Sequence, residues 1–186
     1  MLFVCLCLST SFVCAAESKE GDRVSKTVVS TASLSDSVQK DVLGWIEKVR
    51  IFPGNLLIHA KLDTGADFCS LGTPDIETFR KGGKRFARFL VRNRAGEERK
   101  VVAEVVRTTK IKRINGKASK RVVVRLDVCL GSHHMEVDVN LVNRSNYSYR
   151  MLIGRNFLSG NIVVDSSRTY VSKPICEDLS KKDSSK

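Results

Sequence analysis

A zinc-type cysteine spacing, a His-Glu-x-x-His run and a Gly-x-x-x-x-Gly-Lys phosphate loop are all absent from this chain of 186 residues. The usual sequence grounds for a zinc-bound water or a P-loop nucleotide site are therefore missing. The histidines supply no substitute, since His59 stands alone and His133 and His134 share a turn with Gly131 and Ser132. Helical periodicity is scarce, the best candidate being a short turn around residues 155–159, and no internal repeat is visible. Helix bundles and repeat arrays are excluded on those grounds. The most apolar stretch, at the N-terminus, is too short to span a bilayer comfortably. Acids are few in residues 80–125, where Glu97, Glu98 and Glu104 face seventeen Lys and Arg.

What is present begins with a leader. Residues 1–16 carry no charge, are dominated by Leu, Phe, Val and Cys, and end on Ala15-Ala16 before polar Glu17-Ser18-Lys19-Glu20. This pattern predicts a cleaved secretory signal peptide, hence an exported protein, periplasmic or secreted, with no stable membrane anchor. Val13 stands where a lipobox before Cys14 needs a small residue, so lipidation is not expected. Residues 17–40, rich in Ser, Thr, Lys and Asp, read as a flexible linker and residues 177–186 as a disordered tail. Residues 41–176 are left as one domain, of a usual size for a single core. Outside the leader only Cys69, Cys129 and Cys176 remain. They allow at most one internal disulfide. Cys69 and Cys129 lie in apolar, strand-like runs and read as buried thiols without chemistry.

The net charge is +12, and acids balance bases in residues 17–40 and 177–186, so the excess lies in 41–176. Such a face suits an anionic polymer, an acidic peptide or a membrane surface, or is simply solvated. No nucleic acid partner is expected of an exported protein.

Strand signals dominate the domain. Apolar runs at 43–52 and 56–62 flank Pro53-Gly54-Asn55 and predict a hairpin. Runs at 76–80 and 85–92 flank Lys81-Gly82-Gly83-Lys84, and runs at 101–111 and 121–130 flank Asn115-Gly116, a strong hairpin signal. At 135–142, Val137, Val139 and Leu141 face one way while Glu136, Asp138 and Asn140 face the other. Ile162-Val163-Val164 runs into Asp165-Ser166-Ser167, which lacks a glycine for close approach and reads as a strand-end turn. The pattern predicts an all-β fold, a closed or nearly closed barrel with one short helix.

Two segments carry the chemistry. Lys61-Leu62-Asp63-Thr64-Gly65-Ala66-Asp67 ends an apolar strand in a tight turn, where Asp bonds its own backbone and Gly accepts positive φ. Met151-Leu152-Ile153-Gly154-Arg155-Asn156-Phe157-Leu158 follows much later. In this order the two resemble the retropepsins, single-lobe aspartic proteases. More narrowly, four stretches are similar to a bacterial retropepsin-like family often labelled ATP-dependent zinc protease. They are Gly44-Trp45-Ile46-Glu47, the strand into Asp63-Thr64-Gly65-Ala66, Asp75-Ile76-Glu77 with Gly83-Lys84-Arg85-Phe86, and Asn143-Arg144-Ser145 before Gly154-Arg155. The resemblance spans residues 42–173. No motif here supports the zinc or the ATP of that label, so neither metal nor cofactor is expected.

The resemblance implies an acid-protease fold and an aspartic endopeptidase with Asp63 as its catalytic carboxylate. Peptide hydrolysis by carboxylates needs two acids about 3 Å apart sharing one proton. One Asp-Thr-Gly per chain then implies a homodimer that joins Asp63 to its symmetry mate. Thr64, Gly65 and Ala66 are implied to support the loop, Gly65 offering its N–H to the carboxylates and Thr64 bonding across the dimer axis. Asp67 and Arg155 are implied to form a partly buried, bidentate ion pair tying the loop to the short helix. The counterpart of a retropepsin flap is the hairpin 107–121, with Lys112, Arg113, Asn115, Gly116 and Lys117 at or near its tip. A basic flap favours acidic peptide or protein substrates. Some members of the family are associated with ligases that add glutamate to proteins, which agrees. The competing reading is a non-catalytic basic β-barrel that binds an acidic peptide or anionic polymer.

Overall fold

Strict alternation builds the first hairpin. In β2 (Leu56–Leu62) every second residue is buried, from Leu56 through Ile58 and Ala60 to Leu62, while Leu57, His59 and Lys61 are partly exposed. It pairs antiparallel with β1 (Asp41–Phe52), Val49 opposite Ile58. The computed structural model describes residues 39–112 and 118–176. The expected leader, nearly all of the linker, the tail, and Arg113, Asn115, Gly116 and Lys117 lie outside those residues.

The chain continues through β3 (Cys69–Gly72), β4 (Ile76–Lys81), β5 (Lys84–Arg92), β6 (Glu98–Lys112), β7 (Ala118–Leu130), β8 (His133–Val142), β9 (Met151–Ile153), α1 (Arg155–Leu158) and β10 (Ile162–Thr169). Six strands close a barrel in the order β1-β2-β9-β3-β8-β7, the seam being the antiparallel pairing of Val49–Phe52 with Leu130–Asp127. β6, β5 and β4 extend the sheet from β7, and β10 runs parallel to the first half of β1. Closure removes the open edges that a six-stranded sheet would otherwise expose. The barrel core includes Val49, Ile51, Ile58, Leu71, Leu126, Val139, Met151 and Phe157, all essentially inaccessible. The all-β barrel expected from sequence is the fold observed.

Three local readings change. Asp165-Ser166-Ser167 does not end a strand but continues β10, opposite a register break between Gly44 and Ile46 of β1. Asp165 accepts from the Ser167 amide at 2.9 Å and its hydroxyl at 2.7 Å, a local turn of side chain onto backbone that mimics a strand end in sequence. Asn140 does face away from Val139 and Leu141, yet it is buried, and the Cys69 carbonyl of the neighbouring strand β3 accepts its Nδ2 at 3.3 Å. Cys129 is not a free thiol: it forms a disulfide with Cys176, 47 residues on, and among the described residues Cys69 is the free, buried cysteine.

The cystine belongs to a C-terminal strap that follows β1. At Ile46 the neighbour of β1 on one edge is β10, and from Val49 onward it is β7. Between these points Glu47 is fully buried, with no ion-pair partner among the described residues. Its carboxylate accepts from the amides of Gly44 (2.8 Å), Val171 (3.0 Å) and Ser172 (3.1 Å) and from the Ser172 hydroxyl (3.0 Å). Four donors thus replace the water that a buried carboxylate loses. Beyond them Ile175 donates its amide to the Gly131 carbonyl at 2.9 Å, next to the cystine.

Candidate active site

Asp63 is the first residue beyond the sheet. Leu62 is opposite Ile153 in the parallel β2–β9 pair, and the Asp63 amide closes the ladder on the Ile153 carbonyl at 2.8 Å. The side chain then folds back on its own loop. Oδ1 accepts the Gly65 amide at 3.0 Å, and Oδ2 lies 3.7 Å from Lys61 Nζ. The side chain stays 29% exposed, so water and a peptide can reach it. A carboxylate with a fixed amide donor and an open face can accept a proton from water or, once protonated, donate one. One such group cannot do both at once.

The loop is held from beneath by α1. A single helical turn is not stable alone. Here buried Phe157 and Leu158 anchor it, and the loop carbonyls cap it: Ala66 accepts the Arg155 amide at 2.8 Å and Asp67 the Asn156 amide at 3.1 Å. These contacts require Gly154, because a Cβ there would lie 2.6 Å from the Phe68 carbonyl carbon. Arg155 splits its fork, Nη2 donating to Asp67 Oδ1 and Nη1 to the Thr64 carbonyl at 3.0 Å. The expected bidentate, partly buried pair is thus an exposed pair plus a backbone bond, with Asp67 70% and Arg155 48% accessible. Thr64, Gly65, Asp67 and Phe68 form an exposed strip along the loop.

Asn156 is a residue whose role sequence reasoning left out. Its Oδ1 accepts from the Cys69 amide at 2.9 Å and the Cys69 thiol at 3.2 Å, and its Nδ2 donates to the Asp138 carbonyl at 2.9 Å. One side chain therefore joins α1, β3 and β8. Burial pushes the Cys69 thiol up to about 11, so it sits there as a protonated donor. The only signal for Asn156 in the sequence is its place after Gly154-Arg155.

The flap counterpart is a hairpin in which β6 pairs with β7 from Val105 to Lys112. Lys112 ends β6 opposite Ala118, and the rest of the expected tip lies outside the described residues. Beside the β7 stem opens a cavity of about 920 Å³ whose lining includes Ser119, Lys120, Arg121, Arg144 and Tyr147. The histidines are scattered: His59 bonds the Tyr170 hydroxyl at 2.9 Å, His133 meets Asp41 at 2.9 Å, and His134 packs on Phe52.

The family described as RimB-like, retropepsin-like aspartic endopeptidase RimB, matches residues 42–174. The chain belongs to that family. A solved structure from Legionella pneumophila, Lpg0085, a protein of unknown function, is 34% identical, superposes with a TM-score of 0.63, and covers 73% of this chain and 100% of that one. A Shewanella halifaxensis protein named probable alpha-L-glutamate ligase is 32% identical over 117 residues, 61% of this chain. A Desulfotalea psychrophila protein of the same name is 28% identical over 137 residues. The chain spans only 25% and 29% of the lengths of those two relatives. The matched residues include the loop of Asp63 and the helix beneath it.

Proposed function

We propose that the protein is an exported, homodimeric aspartic endopeptidase whose dyad consists of Asp63 from two subunits. The observation that carries this reading is the Asp63 carboxylate itself: first residue past a barrel strand, cradled by the Gly65 amide, and open to solvent on a loop locked by α1. In the dimer one carboxylate activates water while the other, protonated, polarises the scissile carbonyl. Water adds to the carbonyl carbon, the dyad returns a proton to the leaving nitrogen, and the C–N bond breaks without a covalent enzyme intermediate. Acidic peptide segments are the favoured substrates, given a net charge of +12. The glutamate ligase name of the longer relatives agrees with an acidic substrate. The leader-like N-terminus supports export, and a cystine suits an oxidising compartment.

The test is hydrolysis of a mixed peptide library by wild type and Asp63→Asn, each with and without a strong chelator. Wild type should cleave in both conditions, and Asp63→Asn should fall by at least about 10³-fold, as expected when a dyad loses the group that serves as acid and base. Full activity in the variant, or loss on chelation alone, would reject the reading.

A further inference from the structure

Several arginines of this protein have an acid beside them. Arg107 and Arg125 share Asp138, Arg88 meets Glu77, and Arg92 meets Glu98. Arg144, in the turn between β8 and β9, does not: among the described residues no carboxylate comes within ion-pair distance of it. It is nevertheless fixed in place. Nε donates to the Tyr149 carbonyl at 3.1 Å, Nη1 to the Ser70 hydroxyl at 3.2 Å, and the guanidinium stacks 4.4 Å above the Tyr147 ring. Its Cβ also sits where a side chain on Gly72 would be, 2.8 Å from that glycine's Cβ position, so the backbone makes room for it. Nη2 has no hydrogen-bond partner among the described residues.

A partly desolvated cation without a counter-ion is costly, and such groups are normally paired. Arg144 lines the 920 Å³ cavity together with Arg121 and Lys120, which likewise have no ion-pair partner among the described residues. The hydroxyl of Ser119, on the same wall, is buried without a partner among the described residues. Burial holds the Arg144 guanidinium below its ordinary range and nearby Arg121 adds to this, whereas Tyr147 and Asp63 act in the opposite sense. Ser70, whose hydroxyl accepts from Arg144, lies opposite Leu152 of β9, and the next residue, Ile153, accepts the Asp63 amide, so the arginine and the carboxylate assigned to catalysis are linked across adjoining strands.

We infer that Arg144, seconded by Arg121, is the specificity-determining residue, binding a side-chain carboxylate of the peptide being cut at Asp63. This rests on the endopeptidase reading above. A planar fork held at three points presents its free N–H groups to a carboxylate with little further ordering, whereas a lysine would offer a mobile point charge. The carboxylate would supply the missing counter-ion and could also accept from Ser119.

The experiment compares cleavage of paired peptides that differ only in glutamate against glutamine, and in parallel measures binding of tetraglutamate to the Asp63→Asn protein by calorimetry. Wild type should favour the glutamate peptide. Arg144→Gln should reduce that preference on the order of 10- to 100-fold, mainly through KM, as expected for loss of a charge-assisted contact. Arg121→Gln should give a smaller reduction, and Arg88→Gln, on β5 away from this cavity, none. Adding Arg144→Gln to Asp63→Asn should weaken tetraglutamate binding by a similar factor. An undiminished glutamate preference in a normally melting Arg144→Gln protein would overturn the inference. If that variant fails to fold, Arg144→Lys and Arg121→Gln decide, and wild-type preference in both overturns it equally. Should wild type cleave nothing, the endopeptidase reading falls and calorimetry alone decides: unchanged tetraglutamate affinity would dispose of the carboxylate pocket as well.

Discussion

Asp63 owes its position to neighbours that do no chemistry, and Arg155 is the clearest of them. Its two arms close the loop by holding Asp67 on one side and the Thr64 carbonyl on the other. Lysine would keep the charge but could not span both acceptors. Because the pair is exposed, little of its value is Coulombic, and exposed pairs contribute about 0.2–1 kcal/mol. Arg155→Lys should therefore lower stability by only about 1 kcal/mol, counting the lost backbone bond. Its effect on cleavage should be larger than on melting, on the order of 10-fold or more, since misplacement of a reacting group by a fraction of an ångström is costly. Thermal melts beside kcat/KM on one peptide would check this. A variant that melts several degrees lower while retaining full kcat/KM would contradict the positioning role.

Glu47 shows how an element can be secured by one buried acid. The strap after β10 contributes few large buried side chains; Tyr170, Val171 and Ile175 are exposed. What fixes it to β1 is the carboxylate, with donors from residues 171 and 172 on one side and Gly44 on the other, together with the Tyr170 amide on the Ile46 carbonyl at 2.8 Å. Glu47→Gln keeps the shape but turns an amide group toward N–H donors. Leaving such donors unmatched costs roughly 1–3 kcal/mol, more where charge is lost, and a drop in melting temperature of about 5–10 °C is expected for a domain of this size. A melt unchanged within error would rule out the clamp. Sequence alone gave no hint of this role. The Gly44-Trp45-Ile46-Glu47 stretch was visible only as part of a resemblance, because a buried acid and a surface acid are written with the same letter. The hairpins, by contrast, could be read directly: Pro53-Gly54-Asn55 and Lys81-Gly82-Gly83-Lys84 punctuate runs that pair as β1–β2 and β4–β5, with strict alternation in β2. The short strands β3 and β9 hold four and three residues, too few to show any period. They exist because the barrel needs partners for β2 and β8, a demand that arises from distant parts of the chain. The same is true of Asn156, whose three attachments lie on three different segments, and of the Cys129–Cys176 bond, which strand-like apolar surroundings concealed.

A single chain offers one Asp63, so activity on this reading is a property of two molecules. Specific activity should decline on dilution as dimers part, and adding excess Asp63→Asn chains should poison wild-type subunits by forming mixed dimers. Activity strictly proportional to wild-type concentration in both experiments, with a monomer in ultracentrifugation, would exclude the shared dyad. The exposed strip of Thr64, Gly65, Asp67 and Phe68 is the surface on which such a pair would meet.

The cystine joining Cys129 to Cys176 turns the second half of the domain into a closed ring that contains β8, β9, α1 and β10, and with them Arg144 and Arg155. A backbone cut anywhere inside that ring, including the surface turn between β8 and β9, severs no covalent connection between the two pieces until the bond is reduced. For a protein read as an endopeptidase, that makes the turn carrying Arg144 tolerant of self-inflicted damage: a nicked molecule keeps its anion pocket and its loop-locking helix tethered to the barrel, and would run as one band on a gel without reductant and as two with it.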